Sequence, residues 1–209
     1  MSTQATRDLV VVQAGLGQPS SSRLLAERLA TATSDAVLER GAETTVTFVD
    51  VREHAHALAD ALLTGFPTGA LRQALGAVRD ADAVVVVTPV FQASYSGLFK
   101  QFFDVLDEGS LHGTPVLLAA TAGTARHSLV IEHALRPMFA YLKAVTVPTG
   151  VFAASEDWGA GGTVESGLSG RVSVAADELA DLVTGRPARA LRADELADPV
   201  PFEQLLSRP

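Results

Sequence analysis

Five short apolar runs recur along the chain, at residues 9–13, 45–49, 83–87, 115–120 and 145–152. The third is continuous and β-branched from Val84 to Val87, without polar alternation, which suits a strand covered on both faces in a parallel sheet. Between the runs, residues 23–40, 70–79, 97–106 and 127–142 space their apolar positions three and four apart, as amphipathic helices do. Residues 177–184 read as the end of a last helix, stopped by Gly185 and Pro187. This alternation predicts βαβ units, and right-handed crossovers then lay helices on both faces of one parallel sheet. The economical topology is an α/β three-layer sandwich with a five-stranded sheet of order 2-1-3-4-5, whose ligands meet the carboxyl ends of the strands.

A length of 209 residues suits one sizeable domain, read here as residues 1–186. Residues 187–209 form a tail whose Leu191, Leu196, Phe202, Leu205 and Leu206 offer apolar contacts to the body or to a partner subunit. Hydrophobic residues at 47% against 19% charged exclude the disordered class. The net charge of −8 argues against a nucleic-acid or anionic-membrane surface. The chain has no Cys, which removes disulfides, thiolate metal sites and thiol catalysis and is compatible with a reducing compartment. A polar amino terminus and the lack of a long apolar run predict a soluble, cytoplasmic protein.

Two loops carry candidate chemistry. After the first strand, Gly15, Gly17, Ser20, Ser21, Ser22 and Arg23 open a helix, where free amides, hydroxyls, the dipole and a guanidinium all favour a phosphate. The same serines would also serve as simple helix caps, and the loop alone does not separate the two uses. After the third strand, Pro89, Val90, Phe91, Gln92, Ser94 and Tyr95 combine apolar faces with polar edges, as a flat heterocycle requires. Pro89 is expected to take the chain out of the ladder, and Gly97 to allow a close helix approach. Thr121, Ala122 and Gly123 would meet such a ring from its other side. Lys100 and Asp104 read as a helix-face ion pair, and Phe99, Phe102 and Phe103 as core or interface. Arg126 and His127 fit either a nucleotide contact or a surface pair. His54 and His56, beside Glu53 and Asp60, lack the further ligands a metal site needs, and none is expected. Residues 156–170, with five glycines, read as a flexible loop able to act as a lid or a subunit contact, and its Trp158 could cap a ring.

Together these loops resemble the NAD(P)H-dependent FMN reductases of the flavodoxin-like superfamily, of the type paired with two-component flavin monooxygenases. The resemblance spans residues 8–155. Its most specific part is residues 88–100, T-P-V-F-Q-A-S-Y-S-G-L-F-K, close to the family's T-P-V-Y-x-A-S-Y-S-G-x-x-K. Residues 134–137, A-L-R-P, and 142–144, L-K-A, match further family segments. Phe91 stands where Tyr is common, Gly17 where Ser is frequent, and His133 where some relatives carry a Tyr within a π-bulge at a tetramer interface. The resemblance implies FMN and NADPH or NADH as cofactors, hydride transfer without a side-chain base, and a homodimer or homotetramer. It implies that Ser20, Ser22 and Arg23, with Gly17 and Leu24 beside them, hold the FMN phosphate. It also implies that residues 89–94 hold the isoalloxazine and residues 121–123 its pyrimidine side. A quinone or azo reductase that keeps its flavin, and an electron carrier of the same fold, are the alternative readings.

Overall fold

The parallel sheet is built from β1 (Ala5–Gln13), β2 (Ala42–Asp50), β3 (Ala83–Phe91) and the later β5 (Pro115–Ala122), in the order β2-β1-β3-β5. A computed structural model describes residues 5–158 and 167–187 of the chain. A two-residue strand, β4 (Ser94–Tyr95), folds back antiparallel on the end of β3. The fifth position, beyond β5, is shared by two short pieces, β6 (Val145–Thr146) and β7 (Val151–Ala154), both parallel to β5. The expected order 2-1-3-4-5 therefore holds for the main sheet, while the described residues contain seven strands rather than five.

Side-chain alternation divides the apolar residues between two layers. Val10, Val12, Val84, Val86, Val116 and Leu118 pack beneath α2 (Ala55–Thr64), α3 (Gly69–Asp80), α4 (Gly97–Asp104) and α5 (Arg136–Tyr141). Leu9, Val11, Val85, Val87, Leu117 and Ala119 pack beneath α1 (Ser21–Glu39) and α6 (Leu168–Thr184). With every central strand buried on both faces, the unbroken valine run has its physical reason. Phe99, Phe102 and Phe103 lie in the first layer with Phe139, at centroid distances of 4.8 Å for Phe99 to Phe103 and 5.0 Å for Phe103 to Phe139. On the other face Arg40, ending α1, pairs with Asp177 and Asp181 of α6.

Several sequence expectations are corrected. The run at 145–152 is not one strand: Val147 N–H still donates to Val116 O at 3.0 Å, but Pro148 has no N–H for the ladder, and the pairing with β5 is interrupted until β7 begins at Val151. Arg136 donates to Thr146 Oγ1, Val147 O and Pro148 O from one side of this gap. Glu178 accepts from the N–H and Oγ1 of Thr149 on the other. Gly150 fits because a Cβ there would stand 2.5 Å from Ile131 Cγ2. The helix expected over 127–142 is broken into a 3₁₀ turn at Ala125–His127, a π segment at Ile131–Leu135 and α5. Arg136 N–H reaches Ile131 O across five residues, just before Pro137, which cannot supply the next ladder donor.

The π segment carries His133 where the resemblance had a π-bulge. Helix α2 was not foreseen, since only Leu58 and Ala61 of its apolar residues are buried and its periodicity is weak. α6 begins at Leu168, so the glycine-rich stretch is shorter than expected; its residues 159–166, and the tail beyond Pro187, lie outside the described residues.

Candidate functional site

The strand order sets the ends of β1, β3 and β5 side by side, and hydrogen bonds tie their loops together. Ala14 N–H donates to Val87 O at 3.0 Å, holding the first loop against β3. The buried Ser22 hydroxyl lies 2.7 Å from Thr121 Oγ1, joining α1 to the end of β5. Pro89 does not leave the ladder as expected: it stands opposite Thr121 in the β3 and β5 pairing, its last register position. Beyond it, Val90 and Phe91 pair with Tyr95 and Ser94, so the missing N–H falls where the chain changes partners.

In the first loop, Gln13 ends β1 with a buried side chain that accepts from Gly15 N–H at 2.8 Å. A Cβ on Gly15 would stand 2.0 Å from Ser20 Oγ, so only glycine lets the loop close this tightly. Ser20 caps α1, its Oγ accepting from Arg23 N–H at 3.2 Å. The amides of Ser21 and Ser22 precede any intrahelical acceptor, as in every helix first turn. Arg23 is held by Glu27 at 2.6 Å and lies 4.6 Å from the centre of the Phe48 ring.

A cavity of about 600 Å³ opens at this turn, lined by Gly17, Ser20, Ser21, Arg23 and Leu24, and by Asp50, Arg52 and Trp158 among others. Gly17, Ser20, Arg23 and Leu24 thus face one space, whereas Ser22 turns inward to Thr121.

The second loop is a tight hairpin. Gln92 and Ala93 have φ of 49° and 66°, the left-handed conformation a two-residue hairpin turn needs at both centres. Phe91, Gln92 and Ala93 are exposed and Ser94 is half-buried. Thr88 Oγ1 accepts from Ser96 N–H at 3.0 Å, and Ser96 caps α4 by accepting from Phe99 N–H, so the hairpin leads directly into a fixed helix. Gly97 has open space where a Cβ would be, so the close approach expected there is absent. Lys100 and Asp104 form the ion pair read from their spacing. Across from the hairpin, Thr121 is buried, Ala122 half-buried and Gly123 exposed.

Trp158 ends a 3₁₀ turn at Ser155–Trp158, with the Arg28 guanidinium 5.0 Å from its ring centre. Asp157 anchors that turn by accepting from Ala154 N–H and from Arg171 of α6, both at 2.8 Å. Burial opposes ionisation of Asp157, but the Arg171 and Ala154 hydrogen bonds and the nearby guanidinium prevail and hold its pKa below the ordinary value. Arg126 and His127 sit in the 3₁₀ turn after β5, with Arg126 exposed. Among the described residues no three His, Asp or Glu side chains gather to hold a metal.

Gln13, Asp50 and Arg52 escaped the sequence reading, which offers Trp158 as a cap on a ring. Asp50 ends β2 and Arg52 follows it, and the rule that open sheets bind ligands at the carboxyl ends of their strands could have found them. Trp158 reaches the cavity only through the turn that Asp157 and Arg171 fix.

The family model described as NADPH-dependent FMN reductase matches residues 8–159. An FMN reductase (NADPH) from Pseudomonas aeruginosa is 35% identical over 85% of this chain and 93% of its own length. The NADH-dependent FMN reductase SfnE from Pseudomonas putida is also 35% identical, over 84% and 91%. Among solved structures, an oxidoreductase from Corynebacterium diphtheriae is 45% identical with a TM-score of 0.84, covering 88% of this chain and 100% of that one.

Proposed function

The chain belongs to the NADPH-dependent FMN reductase family, and from that premise we propose that it reduces FMN at the carboxyl end of its sheet and releases the product to a partner monooxygenase. The observation that carries this reading is the junction of three loops by the 2.7 Å Ser22 to Thr121 contact, with Pro89 opposite Thr121. Through that contact the phosphate-suited helix end is braced against the small-residue turn, with the strand that leads into the apolar hairpin beside it.

Bound flavin and nicotinamide supply the chemistry, a hydride moving from nicotinamide C4 to flavin N5. The chain's own part is placement. The first-turn amides of α1 with Ser20 and Arg23 hold the phosphate, beside Gly17 and Leu24. Ser22 braces that turn against Thr121. Residues 89–94 flank the isoalloxazine, with Phe91 as its apolar wall, and the backbone of residues 121–123 meets the pyrimidine edge. Stacking the two rings in register needs no side-chain acid or base.

Release to a partner is supported by the openness of the hairpin, where Phe91 is 45% exposed. A homo-oligomer is supported by Leu129 and Tyr141, exposed by 61% and 86% on either side of the π segment. Among the described residues no helix is long and apolar enough to cross a membrane, and we place the work in the cytoplasm.

The test is anaerobic stopped-flow mixing of the protein with FMN and NADPH or NADH, followed by filtration. Rapid loss of oxidised-flavin absorbance, with reduced flavin in the filtrate, is the expected result. Retained flavin would replace this reading by a quinone or azo reductase. No bleaching with either nucleotide would leave an electron carrier.

A further inference from the structure

Gln13 is the last residue of β1, is 1% exposed, and lines the cavity at the first loop. One bond orients its carboxamide: Oε1 accepts from Gly15 N–H at 2.8 Å. Because an amide carries its oxygen and nitrogen on opposite sides of one carbon, the same bond turns Nε2 and its two protons away from Gly15. Nε2 meets no acceptor among the described residues. An open donor at such burial destabilises the fold, and an apolar side chain like those of Val11 and Val12 just before it would avoid the penalty.

Ser20 converges on the same place. The point where a Gly15 Cβ would stand has Ser20 Oγ and Gln13 Oε1 within 3.0 Å and Ser22 Cβ at 3.1 Å, so three side chains crowd one spot at the start of α1. Ser20 Oγ accepts from Arg23 N–H, which leaves its own proton to give. Gln13 Nε2, the Ser20 hydroxyl and the first-turn amides of Ser21 and Ser22 are thus open donors. The acceptors beside them, Gln13 Oε1 and Ser20 Oγ, each hold an N–H already. The charges of the lining are engaged as well, Arg23 with Glu27, and Asp50 Oδ1 with the N–H of Arg52.

We infer that Gln13 is a direct ligand and specificity residue of the phosphate turn: Nε2 donates to a phosphoryl oxygen while Oε1 holds Gly15, so one buried side chain both shapes the loop and reads the anion. The inference rests on the phosphate reading of the first loop. A set of neutral donors without open acceptors suits a deprotonated monoester, whose oxygens only accept, over a plain hydroxyl, which must also place a proton.

The experiment is equilibrium binding of FMN and of riboflavin, which lacks the phosphate, followed by flavin fluorescence without nicotinamide nucleotide in the wild type, Gln13→Met and Gln13→Glu. Met keeps the length and has no N–H. Glu keeps an acceptor for Gly15 and puts a carboxylate oxygen where Nε2 was. Near pH ~8 the expected Kd for FMN is about tenfold higher in Gln13→Met and about a hundredfold higher in Gln13→Glu, with riboflavin within about twofold of the wild type in both. Near pH ~5 the Glu carboxyl takes up a proton and donates in place of Nε2, so its deficit falls to about threefold while that of Gln13→Met persists. A loop-shaping role alone would not give that recovery, since an oxygen accepts from Gly15 at either pH. An FMN Kd in Gln13→Met within about twofold of the wild type overturns the inference, and so does a Gln13→Glu deficit that ignores pH. Should the variants not fold, the wild type decides by NMR: the Gln13 side-chain amide resonances shift with FMN and not with riboflavin, and no shift with FMN overturns the inference. A wild type that binds both flavins equally removes the phosphate reading of the loop, and the inference with it. Failure of hydride transfer in the stopped-flow test leaves the binding result standing, so the two readings fail separately.

Discussion

Single residues decide how tightly the candidate site closes. Gly15 is needed for space rather than for its backbone angles, because Ser20 Oγ and Gln13 Oε1 would lie 2.0 and 3.0 Å from a Cβ. Gly15→Ala must displace the cap of α1 or the side chain that holds the loop, at a cost of about 1 to 3 kcal/mol. A urea titration should show the lower stability, and the KM for FMN should rise at least about tenfold, equivalent to ~1.4 kcal/mol of lost binding. At the hairpin, Ala93 keeps a φ of 66° that its Cβ disfavours. Ala93→Gly relieves that strain but gives the unfolded chain more freedom, so a net gain of about 0.5 to 1 kcal/mol is expected in the same titration. An unchanged midpoint would mean that the turn holds no strain there.

At the scale of elements, the turn carrying Trp158 is fixed to α6 by Asp157 and Arg171. The Asp157 pKa lies below its ordinary 3.8 in the folded protein. The stabilisation is therefore complete above that ordinary value and is lost as pH falls through the lower folded one. Asp157→Asn should melt below the wild type near pH ~7, and the gap should narrow as the pH falls below the ordinary carboxylate value. A gap that stays constant with pH would show that the charge on Asp157 does not hold the turn.

How much of this was legible in the chain differs by element. β1, β3 and β5 were readable because burial on both faces leaves unbroken apolar runs, and the first loop because serines follow a strand and open a helix. The limits of α2 were not readable, since an alanine-rich stretch with Leu62 and Leu63 exposed has no clear apolar face. Nor was the convergence of Gln13, Asp50, Arg52 and Trp158, which are distant in sequence and meet only through the strand order and the Asp157 anchor.

Among the described residues two helix layers cover one sheet, and the gap in its outermost strand is where both layers act on the same few residues. Arg136 enters that gap from the layer of α5 and Glu178 from the layer of α6. Neither layer can peel away without stripping partners from residues 146–149. The sheet margin, often the first part of an open fold to fray, is thereby tied into the global unit of unfolding. In hydrogen–deuterium exchange the Thr149 amide, bonded to Glu178 at 2.8 Å, should exchange as slowly as the amides of β3. In Glu178→Gln it should open on its own, ahead of the rest. The molecule's outer margin would then report the integrity of its centre.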